Sequence, residues 1–184
     1  MFEKILSQIG VCLNKHTIPY MVVGGQAVLF YGEPRLTRDI DITLGVDVNH
    51  LGEVLVVVQE LSLKPLPNEI ESFVRETMVL PTLDEHTGIR VDFIFSYTPY
   101  ETGAIKRAKK VKIMEQEVNF ASPEDLIIHK IFAGRPRDTE DVRAVLLKNP
   151  DVDIQYIRGW LKEFDESSEE KDFLKTFDGI MKEL

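Results

Sequence analysis

Tyr20-Met21-Val22-Val23-Gly24-Gly25 is a short apolar run closed by a glycine pair, and Arg38-Asp39-Ile40-Asp41-Ile42-Thr43-Leu44 and Val91-Asp92-Phe93-Ile94-Phe95 follow it. Side chains alternate sides along a strand, so Asp39 and Asp41, two positions apart, share one face while Ile40 and Ile42 take the other. Aspartate is a poor strand former, yet three interrupt apolar strands here, which argues that the carboxylates have a use. Asp39 and Asp41 can converge on one ion. With Asp92 from a neighbouring strand they form an oxygen-rich set suited to Mg²⁺ or Mn²⁺, ions that take carboxylates, water and phosphate oxygens. Gly24-Gly25 ends its strand where a helix over Gln26 to Tyr31 begins, and the free amides of such a helix start face anions readily.

Outward from these stretches the periodicity alternates. Phe2, Ile5, Leu6, Ile9 and Leu13 mark a helix to about Lys15, and Asn49 to Leu61 marks a second helix with Asn49 as its expected cap. Pro65 and Pro67 break the chain. Met78 to Leu83 and Ile89 to Phe95 read as a hairpin around Asp84 to Gly88, with Gly88 available for positive φ. Pro99 opens a short helix, and Val111 to Met114 and Val118 to Phe120 read as edge strands. Ser122-Pro123-Glu124-Asp125 is a capped helix start. Helices follow over residues 124–133, 138–147, 154–164 and 172–184. The expected fold is therefore α+β: a mixed sheet core with flanking helices over residues 1–120, and a helical portion over residues 121–184 packing on it.

Composition narrows the function classes. The 184 residues, 43% of them hydrophobic, suffice for one domain with a modest appendage. No apolar run reaches the ~20 residues of a membrane span, and the first residues open an amphipathic segment, so a cytoplasmic protein is expected. Cys12 stands alone and the four histidines are dispersed, which disfavours a structural zinc site and leaves Cys12 as a small core residue. The net charge of −9 opposes a surface devoted to nucleic acid. Basic segments remain at Lys106-Arg107-Ala108-Lys109-Lys110, read as a solvated helix face, and from Lys130 through Arg135, Arg137 and Arg143.

Taken singly, each feature has an ordinary explanation: a strand-to-helix turn for the glycines, surface acids for Asp39 and Asp41. Taken in order, Gly-Gly-x-Ala, then Arg-x-Thr-Arg-Asp-Ile-Asp, then Val-Asp-Phe-Ile resemble the nucleotidyltransferase superfamily with the polymerase-beta-like fold, over roughly Tyr20 to Leu147. Within it the chain is most similar to AbiEii-type toxin nucleotidyltransferases and related bacterial and archaeal proteins.

The resemblance implies transfer of a nucleoside monophosphate from an NTP to an acceptor hydroxyl with loss of pyrophosphate. Asp39, Asp41 and Asp92 would be the catalytic and metal-binding residues, holding a pair of divalent ions, and Asp92 would also help deprotonate the acceptor. Gly24, Gly25 and Arg38 would bind nucleotide. His129-Lys130 followed by Arg135-Pro136-Arg137-Asp138-Thr139-Glu140-Asp141 resembles the AbiEii segment, with Lys130 on nucleotide phosphate and Asp138 orienting it. The plainer reading makes Asp138 a helix cap and Asp141 and Arg143 surface charges. Arg35 is either a phosphate ligand or a charge partner for nearby acids. The acceptor could be tRNA, protein or a small molecule, a cognate antitoxin is a possible partner, and the alternative function is a non-catalytic nucleotide-sensing or partner-binding module of the same fold.

Overall fold

The computed structural model describes residues 1–168 and 172–184. These residues form two compact units. The first comprises Met1–Gln26 and Thr37–Ala121, and the second comprises Ala27–Leu36 and Ser122–Leu184.

The first unit is built on a seven-stranded mixed sheet in the order β3-β4-β5-β2-β1-β7-β6. Its strands are β1 (Tyr20–Val23), β2 (Asp39–Leu44), β3 (Lys64–Pro65), β4 (Val79–Asp84), β5 (Ile89–Phe95), β6 (Lys109–Ile113) and β7 (Gln116–Phe120). The parallel pairs are β2 with β5 and β1 with β7, and the remaining neighbours run antiparallel. Ile40, Ile42, Leu44, Val91, Phe93 and Phe95 are all fully buried, each contributing about 1.5–3 kcal/mol of apolar burial, and they fix which face of β2 and β5 turns inward. Helix α1 (Phe2–Lys15) lies close to the sheet at Gly10, where a Cβ would come within 2.9 Å of the Tyr20 hydroxyl. A larger residue there would push the helix away.

Several local expectations need correction. The 3₁₀ turn Val48–His50 precedes α3 (Leu51–Glu60), and its cap is Asp47, whose carboxylate accepts from the Asn49 amide at 2.9 Å. Asn49 was the wrong cap because Asp47 stands at the extended position where a side chain can reach that amide. The stretch beyond Pro67 contains a helix, α4 (Ile70–Thr77), whose Ile70, Phe73, Val74 and Thr77 recur at helical spacing. Only Val74 of it is buried, and the helix spans just eight residues directly after the proline break. The strand β7 is not an edge: Val22 of β1 pairs in register with Phe120, and β6 takes the edge. Helix α5 (Pro99–Lys106) starts at a capping box between Thr98 and Glu101.

The second unit contains α6 (Pro123–Ala133), α7 (Asp138–Lys148), α8 (Ile154–Glu166) and α9 (Phe173–Lys182). Ser122 caps α6 by accepting from the Asp125 amide, with Pro123 in the first turn. Helix α2 (Gly24–Tyr31) begins in the first unit, and its residues from Ala27 belong to the second. There Asn149 donates to the Tyr31 carbonyl at 2.9 Å and Lys148 to the Gly32 carbonyl at 3.0 Å, which ties 27–36 to α7. Among the described residues no helix is long and apolar enough to cross a membrane.

Candidate active site

Register assembles the three acids. In the parallel pairing of β2 with β5, Asp41 aligns with Asp92 and Asp39 with Arg90. Neighbouring strands lie about 4.8 Å apart, and aligned residues point to the same face. Asp41 and Asp92 are therefore side by side, with Asp39 one step along the same surface. All three are half-buried, while the residues alternating with them are fully buried. The inward face anchors the strands so that the outward face can carry charge.

The glycine pair borders this surface for a geometric reason. In the antiparallel pairing of β1 with β2, Val23 is the partner of Asp41, so the chain turns at Gly24 beside that carboxylate. Gly24 has φ of +63°, a conformation that other residues adopt only at a cost. A Cβ on Gly24 would sit 1.9 Å from Asp41 Oδ2, and one on Gly25 would sit 2.2 Å from Thr37 Oγ1. Neither position has room for a side chain. Thr37 in turn donates its hydroxyl to Asp39 Oδ1 at 3.0 Å, and Gln26 Nε2 donates to the Asp39 carbonyl at 3.3 Å.

Arg90 pairs with Asp92, its Nε 2.6 Å from Oδ1. That hydrogen bond pushes the guanidinium above its usual pKa, burial opposes the shift, and the charges of Asp92, Asp39 and Asp41 add to it. Arg90 thus responds to all three carboxylates. Arg38 is exposed on the same unit, at the entrance to β2.

Thr37 and Arg90 had no role in the reading from sequence. Thr37 falls inside the Arg-x-Thr-Arg-Asp run, and Arg90 lies two residues before Asp92. The period of two that united Asp39 with Asp41 also predicts that Arg90 and Asp92 share a face.

The second unit holds the Lys130 cluster. Lys130 is 8% exposed, and its ammonium donates to Asp138 Oδ1 at 2.7 Å and lies 2.8 Å from Asp141 Oδ2. Arg35 makes a two-pronged contact with the same Asp141, from Nε at 2.9 Å and from Nη2 at 3.0 Å. Asp138 Oδ2 also accepts the Arg135 amide at 2.9 Å. Asp138 is the first residue of α7 rather than its N-cap, which is Arg137. Asp141 is buried rather than a surface charge, because Arg35 and Lys130 both reach it, whereas Arg143 pairs with Glu183 near the end of α9.

Residues 2–180 match the protein family described as "Nucleotidyltransferase of unknown function (DUF6036)". The chain belongs to this nucleotidyltransferase family. No curated protein matches it in sequence. Solved structures share its fold at low identity. The antibiotic-resistance factor ANT(2'')-Ia superposes with a TM-score of 0.62 at 15% identity, covering 90% of this chain and 91% of that one. An antigenic nucleotidyltransferase-like protein from Paracoccidioides brasiliensis gives 0.58 at 16%, covering 95% and 92%. The lincosamide antibiotic adenylyltransferase LnuA, solved with lincomycin bound, gives 0.54 at 16%, covering 77% and 94%. The mixed sheet of this nucleotidyltransferase is thus one that such proteins share.

Proposed function

We propose that this nucleotidyltransferase moves a nucleoside monophosphate from an NTP to an acceptor hydroxyl at the Asp39–Asp41–Asp92 face, releasing pyrophosphate. The observation that carries the reading is the β2–β5 register, which sets Asp41 beside Asp92 with Gly24 bare of any side chain against Asp41. A donor set made of carboxylate oxygens fits Mg²⁺ or Mn²⁺ in preference to softer metals. Asp39, Asp41 and Asp92 would hold the metal, which when bound offsets phosphate charge and stabilises the attacking and leaving oxygens.

The chain's own groups divide the remaining work. The amides of the first turn of α2, opened by Gly24 and Gly25, are donors for the triphosphate, and Arg38 adds an exposed guanidinium. Thr37 fixes the rotamer of Asp39 through its hydroxyl. Asp92 accepts the proton of the acceptor hydroxyl, with its other contact to Arg90 holding the carboxylate in place.

For the acceptor we favour a cationic small molecule. A net charge of −9 repels a polyanion and attracts an amine, and the solved structures with this fold include an antibiotic-resistance factor and a lincosamide antibiotic adenylyltransferase. The likeness to AbiEii-type toxins rests on the Lys130 to Asp141 segment and would place the acceptor among RNA or protein instead. Each α-labelled NTP, supplied with Mg²⁺ or Mn²⁺, is incubated with aminoglycosides, lincosamides, total RNA and cell protein. The expected result is label on a small hydroxylated amine. Label on RNA or protein would move the acceptor to the AbiEii class. Bound nucleotide with no label and no pyrophosphate in any reaction would overturn the transfer reading.

A further inference from the structure

A second ligand set, of different chemistry, lies at the ends of α1 and α3. Cys12 and His16 are four residues apart, and the His16 amide still donates to the Cys12 carbonyl at 3.1 Å, so the helical geometry that puts both on one face persists through His16. Glu60, the last residue of α3, meets them there. Cys12 Sγ is 3.5 Å from Glu60 Oε2, and His16 Nε2 is 3.0 Å from Glu60 Oε1. One ligand atom from each of the three residues can be chosen so that all lie within 4.8 Å of one another.

Small side-chain rotations would bring these atoms to the spacing of a tetrahedral metal. With Zn–S near 2.3 Å and Zn–N or Zn–O near 2.0–2.1 Å, neighbouring ligand atoms of a tetrahedron stand roughly 3.3–3.6 Å apart. A thiol and an imidazole are donors that zinc takes and magnesium does not, and zinc takes a carboxylate as well. Lys15 already holds a cation against Glu60, its Nζ 2.8 Å from Oε2, but its side chain is 63% exposed and can swing into solvent. Cys12 and Glu60 line a cleft of about 720 Å³ whose wall also carries Asp84 and His86. That cleft shares no lining residue with the Asp39–Asp41–Asp92 face.

We propose that Cys12, His16 and Glu60 form a zinc site with three protein ligands, its remaining position supplied by water or by a group from the cleft wall. Binding replaces the Cys12 S–H bond with a metal–sulfur bond and releases the proton to solvent. The metal would clamp the C-terminal end of α1 to that of α3, which lie 44 residues apart in sequence between His16 and Glu60. The site does not depend on the transfer reaction.

The test is a titration of Co²⁺ into the metal-stripped full chain. One equivalent should produce a thiolate-to-cobalt charge-transfer band with the intense visible bands of a four-coordinate ion, and Zn²⁺ should erase both. Cys12→Ser should remove the charge-transfer band. Because Cys12 is buried, Glu60→Gln at the surface serves as the second variant and should weaken Co²⁺ binding at least ~10-fold, since a first-sphere ligand matters no less than the outer partners that cost 10–100-fold. Asp39→Asn combined with Asp41→Asn should leave the band intact. A missing band at one equivalent, a band that survives Cys12→Ser, or unchanged affinity in Glu60→Gln would overturn the proposal.

Discussion

Two clusters of acids in this chain are built in opposite ways. On the sheet face, Asp41 stands beside Asp92 and Asp39 follows on the same surface, three half-buried acids with Arg90 as the cation paired to Asp92. In the helical unit, Asp138 and Asp141 alternate with Lys130 and Arg35, each carboxylate within 3.0 Å of a cation, and Lys130, Asp138 and Asp141 are buried. Adjacent carboxylates raise the energy of the folded state and are useful when something positive arrives to neutralise them. Interleaved charges satisfy one another, and breaking such a buried set leaves uncompensated charge inside the protein. The first arrangement suits chemistry, and the second holds helices together.

Variants can break that comparison. The largest effect is expected for Asp41→Asn, which keeps shape and removes charge. Loss of several kcal/mol of charge stabilisation corresponds to a fall in transfer rate on the order of 10³-fold or more, with no loss of melting temperature. Initial rates and calorimetry on one preparation check both halves. Lys130→Met should do the reverse, costing roughly 3–5 kcal/mol in urea unfolding because two buried carboxylates lose their shared cation.

Gly24→Ala should affect both properties. Its positive φ costs of the order of 1–3 kcal/mol for a residue with a Cβ, and the methyl would displace Asp41, so stability and transfer should fall together. A crystal structure of Gly24→Ala with Asp41 in its original rotamer would refute the packing argument.

Thr37→Ala should be the mildest. Losing a hydrogen bond to a charged acceptor is worth about 1.5–3 kcal/mol, so transfer should drop roughly 10- to 100-fold, and Thr37→Ser should restore most of it. An inert Thr37→Ala would mean that Asp39 is held by other contacts.

The sheet face was legible in the sequence because its signal is local: a period of two, and aspartates where apolar residues belong. Gly24-Gly25 was legible as a turn, but its steric role was not, since the collision with Asp41 and Thr37 depends on the β1–β2 register. Lys130 and Asp138 are paired by the family resemblance, not by their spacing. Arg35 with Asp141 could not be paired either way, being 106 residues apart and resembling ordinary surface charges. Helix α4 escaped because it is only eight residues long and follows directly on the Pro65 and Pro67 break, and the Cys12–His16–Glu60 cluster escaped because its third member comes from another helix.

The most direct test is pyrophosphate release from NTP with Mg²⁺ and an accepted acceptor, for the wild-type chain, Asp41→Asn and Asp92→Asn, with folding checked by circular dichroism. The account predicts release by the wild type and a loss on the order of 10³-fold in both folded variants. Release at wild-type rates from either folded variant would contradict it.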